Sequence, residues 1–197
     1  MRALALLLLL VPAALAAGTG LVARPGSRLW LEGTSTLHPY SSTATTVQAA
    51  LEIGTPGAAG ALAAAQAGKP ASLSLAVPVA GLKSAHTGLD KNLRAALKAE
   101  AFPEIAFTLD AYRKAPEGPG RFLATGRLSV AGRTNPIELE VALSAREGVL
   151  LVDGEEPLSM TDYGITPPKM MLGAIKTGDR VVVKFHLELA PEAGKAP

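Results

Sequence analysis

Two neighbouring runs decide the fold: Arg121-Phe122-Leu123-Ala124-Thr125-Gly126-Arg127-Leu128-Ser129-Val130 and Ile137-Glu138-Leu139-Glu140-Val141-Ala142-Leu143. In the first, Phe122, Ala124, Leu128 and Val130 oppose Arg121, Thr125, Arg127 and Ser129. In the second, Ile137, Leu139, Val141 and Leu143 oppose Glu138, Glu140 and Ser144. A period of two, with one apolar and one polar face, marks an antiparallel strand covered on one side. Gly132-Arg133-Thr134-Asn135-Pro136 lies between the runs and reads as a tight hairpin.

The same pattern recurs in both directions along the chain. Val47, Ala49, Leu51 and Ile53 alternate with Thr46, Gln48, Ala50 and Glu52. Leu73, Leu75, Val77 and Val79 alternate with Ser72, Ser74, Ala76 and Pro78. Ile105, Phe107 and Leu109 form a third series, and Val181, Val183, Phe185, Leu187 and Leu189 a fourth. Arg28–Leu37 and Gly148–Asp153 are less regular candidates. Arg146-Glu147-Gly148 and Pro116-Glu117-Gly118-Pro119-Gly120 supply further turns. The total is about eight strands, the number at which a closed barrel can just hold one small ligand. Short loops favour up-and-down neighbours, and closure removes the exposed edges. The expected fold is therefore all-β, an eight-stranded antiparallel barrel with one or two short helices.

The first helix is expected where Leu89, Leu93 and Leu97 recur every four residues, with Lys91, Arg94 and Lys98 on the other face. Thr87 is placed to cap it, Asp90 three residues on completes a capping box, and Phe102-Pro103 ends it. The second, weaker candidate is Ala58–Ala67, whose alanines favour a helix and whose glycines do not.

Composition narrows the function. The 197-residue chain is 48% hydrophobic but only 4% aromatic, so its core must be aliphatic. Met1-Arg2, the Leu/Ala run Ala3–Val11, the breaker Pro12 and Ala14-Leu15-Ala16 read as a secretory signal peptide cleaved after Ala16, with Ala17 nearly as good a site. The run is too short to span a bilayer comfortably. The expected organisation is a signal peptide over 1–16, a leader over 17–27, the barrel over 28–190 and a flexible tail over 191–197. A periplasmic or secreted location follows. Cleavage removes Arg2 from 19 Lys+Arg that stand against 17 Asp+Glu. Such a balance argues against nucleic acid as a partner. The absence of cysteine excludes disulfides, thiolate catalysis, thiolate metal sites and a lipid-modified N-terminal cysteine.

Little in the sequence points to catalysis or a cofactor. His38, His86 and His186 have no metal-ligand spacing. His186 falls on a polar strand face, where a solvated histidine is expected. Ser35 and His38 with a distant Asp could form a triad, but no G-x-S-x-G elbow supports it. Gly57–Gly60 lacks the Lys-Ser/Thr of a phosphate loop. The inward apolar residues have two readings, a ligand-holding lumen or a filled core. Small aliphatics leave room, which favours the lumen. Val47, Leu51, Leu75, Val77, Phe107, Leu128, Leu139, Val183 and Phe185 are its expected lining. Lys91, Arg94 and Lys98 are candidates for a polar head-group contact or for leaning on an anionic membrane; a solvated helix face is the plainer reading. Lys83, Lys169 and Lys176 flank other loops. Pro167-Pro168-Lys169-Met170-Met171-Leu172 is an adaptable apolar loop and a candidate for the entrance.

Four segments, in order, resemble the YceI-like family. They are Trp30-Leu31-Glu32-Gly33-Thr34-Ser35-Thr36-Leu37-His38, Phe102-Pro103-Glu104-Ile105-Ala106-Phe107, Gly126–Ile137 with its G-x-L-x-x-x-G-x-T-x-P pattern, and Met160-Thr161-Asp162-Tyr163-Gly164-Ile165. The resemblance implies a lipocalin-like barrel, usually periplasmic, that can carry a polyisoprenoid or similar amphiphilic lipid in its lumen; the lack of any catalytic constellation in the residues argues against an enzyme. It departs at His86-Thr87-Gly88-Leu89-Asp90, where many members carry an Arg-Asp pair. The expected function is thus an exported carrier for a polyisoprenoid, an isoprenoid quinone or a fatty-acid-like lipid. The alternative is a non-enzymatic envelope interaction or stress protein with a filled barrel.

Overall fold

The computed structural model describes residues 20–170 and 175–192. The expected signal peptide and the last five residues lie outside them. The strands are β1 (Leu21–Ala23), β2 (Arg28–Ser35), β3 (Tyr40–Ala44), β4 (Gln48–Glu52), β5 (Ser72–Pro78), β6 (Leu82–Lys83), β7 (Glu104–Lys114), β8 (Arg121–Val130), β9 (Arg133–Arg146), β10 (Val149–Ser159), β11 (Lys169–Met170) and β12 (Ile175–Pro191). Helix α1 (Gly57–Gln66) joins β4 to β5, and α2 (Thr87–Ala96) joins β6 to β7.

These segments make a closed, antiparallel, eight-stranded barrel. Three of its staves are broken by kinks. β1 and β2 form the first stave, since both pair with β12 and they pair in turn with β4 and β3. β3 and β4 form the second, and β5 and β6 the third, with Ala49 opposite Leu75 and Thr43 opposite Lys83. From β7 to β12 the chain runs up and down between neighbours, and β1 against β12 closes the ring. The barrel therefore recruits Leu21–Ala23, ahead of Arg28 where the sequence pattern begins it. β3, β6 and β11 were also absent from the pattern. β10 runs on to Ser159, well past the expected Asp153.

Turn chemistry sets the tightest connections. Ala131 and Gly132 (φ 50° and 82°) join Val130 to its partner Arg133, and Glu147 and Gly148 (φ 52° and 79°) join Arg146 to Val149. Positive φ at both central residues is the two-residue turn that matches strand twist. The first turn is thus Ala131-Gly132, and Arg133–Pro136, expected as loop, already belong to β9.

The two helices cover opposite ends. α1 presses Ala58, Ala61, Ala64 and Ala65 onto β9, β10 and β12, beside Leu21, Leu150, Leu187 and Leu189. Methyl side chains let the helix sit close, so this end is shut. At the other end α2 places Leu93 and Leu97 among Val77, Val79, Leu82 and Val130. A short 3-10 turn, Met160–Tyr163, packs there as well.

The capping box is a correction. His86 occupies the N-cap position and makes no side-chain cap. The Asp90 carboxylate instead reaches back to accept from the Ser84 amide and the Ser84 hydroxyl, both at 2.7 Å. Two donors held by the preceding loop outcompete the helix's own first turn. α2 also stops at Ala96, before Phe102-Pro103, because Lys98 takes a left-handed conformation (φ 54°).

Candidate ligand cavity

Between the two ends lies one apolar cavity of about 270 Å³. That is near the lower end of ordinary ligand pockets, roughly 300–1,000 Å³. Its wall combines residues from every stave with Ala61 and Ala65 of α1, Leu89, Asn92, Leu93 and Ala96 of α2, and Leu97 at the α2 C-cap.

Eight of the nine residues expected to face the lumen are on this wall: Leu51, Leu75, Val77, Phe107, Leu128, Leu139, Val183 and Phe185. Val47 is not. It sits in the kink between β3 and β4, where Thr45 donates its amide to the Gly81 carbonyl, and it packs between the two apolar clusters. The break in the strand takes Val47 out of the alternation.

The room comes from missing side chains as much as from small ones. A β-carbon on Gly126 would come within 2.6 Å of the Phe107 ring, and one on Gly154 within 2.9 Å of Phe185 Cε2. Each ring lies over a glycine of the neighbouring strand and so spares the lumen. At the closed end Phe122 and Tyr112 meet edge to face, with centroids 5.9 Å apart. The Tyr112 hydroxyl donates to the Lys69 carbonyl.

Apart from Tyr112 at the closed end, the polar lining gathers towards the α2 end: Tyr40, Asn92, Glu156, Ser159, Tyr163 and Thr177. Burial raises the pKa of the Tyr40 phenol, and burial followed by Asp162 and Glu156 raises that of Tyr163, so both stay neutral donors. Among the described residues, Glu156 is the one charged side chain in the lining. Burial raises its pKa, and Arg180 partly offsets this. The sequence reading missed Glu156. Its signal is the alternation of Leu150, Val152 and Leu158 on β10, which places residue 156 on the same inward face.

The expected basic residues do not reach the wall. Lys91 and Lys98 are exposed, and half-buried Arg94 interacts with Asp90. Lys169 is exposed on β11, where its backbone pairs with Lys176. The Met170 side chain and Met171 lie outside the described residues. Pro168 does line the cavity, so the loop expected at the entrance borders the lumen.

The imagined triad does not assemble. Ser35 Oγ donates to the His38 carbonyl (2.8 Å) and accepts from the amides of Leu37 and His38, while His38 Nδ1 lies against the Pro39 carbonyl. His186 is on the outer face, but its Nδ1 is 2.6 Å from Asp153 Oδ1, so it is paired where a solvated ring was expected. Other outward charges pair across strands, as in Arg121–Glu140 at 2.7 Å and Lys184–Glu32 at 2.9 Å.

Comparison with known proteins adds three structural likenesses. BcnA of Burkholderia cenocepacia superposes with a TM-score of 0.67 at 18% identity, covering 83% of this chain and 96% of that one. A polyisoprenoid-binding domain from Saccharophagus degradans, implicated in plant cell wall breakdown, gives 0.63 at 10%, over 87% and 98%. The YceI protein of Campylobacter jejuni gives 0.58 at 16%, over 77% and 85%. At these identities the likeness shows the fold. No curated protein matches by sequence. The family model for the YceI-like domain matches residues 34–189.

Proposed function

The chain belongs to the YceI-like family, and from that premise we propose that it is an exported carrier that holds the apolar tail of an amphiphilic lipid in its barrel. The observation that carries this reading is the cavity itself, whose wall is almost wholly aliphatic and aromatic. Burial of such a tail is favourable by roughly 25 cal/mol per Å² of apolar surface. A polyisoprenoid is the favoured class, with isoprenoid quinones and fatty-acid-like lipids as relatives of the same chemistry. The polyisoprenoid-binding domain that shares the fold supports this choice.

The protein performs no reaction of its own on this reading; it binds and releases. Export rests on the signal-like N-terminus, and the periplasm is the proposed location. No helix among the described residues is long and apolar enough to cross a membrane. Ligand pick-up would involve a transient contact with an anionic membrane at the α2 end. There Leu37 is 66% exposed, and the neighbouring Thr36 amide donates to the Lys176 carbonyl. The cavity weighs against the alternative of a filled barrel acting only through its outer surface.

The test is displacement of the neutral fluorophore N-phenyl-1-naphthylamine by a polyprenol. Saturable dye binding, competed by the polyprenol, is expected. Failure of both dye and polyprenol to bind would favour the filled barrel.

A further inference from the structure

Glu156 stands where an apolar residue belongs. It lies on β10 in step with Leu150, Val152 and Leu158, opposite Val183 of β12, and among the described residues it brings the only charge to the cavity lining. Its carboxylate makes no hydrogen bond or ion pair among the described residues. An ionised carboxylate can only accept hydrogen bonds.

The strands around it explain why a polar group is tolerated. The β9–β10 ladder ends at Gly154 opposite Val141, although β10 continues along β12 to Ser159. Beyond that point each strand carries a proline, Pro136 on β9 and Pro157 on β10, and neither can donate to a ladder. The strands therefore part, and a polar outer pocket occupies the gap. Ile137, Glu156, Leu158 and Tyr163 line both this pocket and the inner cavity. The 3-10 turn spans the gap: Asn135 Nδ2 donates to the Asp162 carbonyl at 3.0 Å. Glu156 thus marks the place where the apolar lumen meets a polar opening.

We propose that the polar end of the bound amphiphile lies against Glu156, and that this site selects a hydrogen-bond-donating head, a hydroxyl or an ammonium, over an anionic one. The inference rests on the carrier reading and names its head-group site. A donor placed here gives the unpaired carboxylate a charge-assisted hydrogen bond. A phosphate or carboxylate would add like charge beside it, with Glu138 and Asp162 on the outer wall and, among the described residues, Arg180 as the one cation acting on Glu156. Lys91 and Arg94 of α2, and Lys98 just beyond it, are not on the wall to compensate.

The experiment compares dodecylamine, 1-dodecanol and dodecyl phosphate, which share one tail, as competitors of N-phenyl-1-naphthylamine for the wild type and Glu156→Gln. The wild type should bind the amine and the alcohol more tightly than the phosphate. Glu156→Gln should weaken the amine by about tenfold or more, as expected for loss of a charged hydrogen bond, and should strengthen the phosphate. Circular dichroism checks that the variant is folded; if it is not, the wild-type series alone decides. Equal affinities for the three heads, a preference for the phosphate, or an unchanged series in Glu156→Gln would overturn the head-group site while leaving the carrier intact. If dye and all three probes failed to bind the wild type, both readings would fall.

Discussion

Phe185 lies across Gly154, its register partner on the neighbouring strand, and the ring occupies the space a side chain at 154 would need. The Phe107 ring fills the space over Gly126 in a similar way, although its register partner is Leu128 and Gly126 lies diagonally across. Two glycines thus decide where two of the few aromatic rings rest, and so how much of the lumen stays open.

Gly154→Val should push Phe185 towards the cavity. Overpacking of this kind costs about 1–3 kcal/mol. Urea unfolding should show that loss, and the affinity for N-phenyl-1-naphthylamine should fall with it. A variant with wild-type stability and dye affinity would mean that the ring has another place to go.

Ser42 is 1% exposed, and its hydroxyl has no hydrogen-bond partner among the described residues. A buried orphan hydroxyl costs its desolvation with nothing in return. Ser42→Ala should therefore stabilise the protein by about 1 kcal/mol. In a domain of this size that is roughly a 2–4 °C rise in the unfolding midpoint. A fall in the midpoint would show that the hydroxyl has a partner after all.

Asp90 and the loop before α2 should make stability acid-sensitive. The Ser84 hydroxyl and then the Ser84 amide hold the Asp90 pKa below that of a free aspartate, helped by Lys83 and Arg94. A folded pKa below the unfolded one gives stability that is present above the unfolded value and is lost as pH falls through the folded one. Asp90→Asn should be less stable than the wild type at neutral pH, and the two should converge in acid. Parallel pH profiles would remove Asp90 from this role.

Glu156 should act in the opposite sense. Burial raises its folded pKa, so protonation favours the fold and stability is lost as pH rises through that raised value. Glu156→Gln, which cannot ionise there, should melt higher than the wild type at neutral pH. The difference should close once the pH lies below the range of a free glutamate. A Gln variant that melts lower throughout would indicate that the carboxylate is stabilised by contacts of its own.

The barrel was legible because its strands bury one face, and a period of two survives in Phe122–Val130, Ile137–Leu143 and Val181–Leu189. β3 was illegible for the same reason. Tyr40-Ser41-Ser42-Thr43-Ala44 turns Ser42 and Ala44 to the interior, so it shows no apolar alternation. The far half of β10 was hidden by Gly154-Glu155-Glu156-Pro157, which reads as a turn until it is set beside β12. The capping box failed because Ser84, six residues before Asp90, offers two donors that sequence spacing cannot reveal. Lining residues were readable from strand parity, apart from Val47 in its kink. Glu156 shares the parity of Leu150, Val152 and Leu158, but the parting of the strands beside it depends on tertiary pairing.

If the barrel carries an amphiphilic lipid, as proposed, that lipid should leave the cell envelope with the protein. Native mass spectrometry of the protein purified from its own cell envelope, with solvent extraction of what co-purifies, tests this most directly. A stoichiometric bound mass, released by solvent, with a long apolar tail and a hydroxyl-bearing or cationic head is the expected result. A ligand-free mass from a protein that also refuses added polyprenyl and fatty-acyl lipids would contradict it.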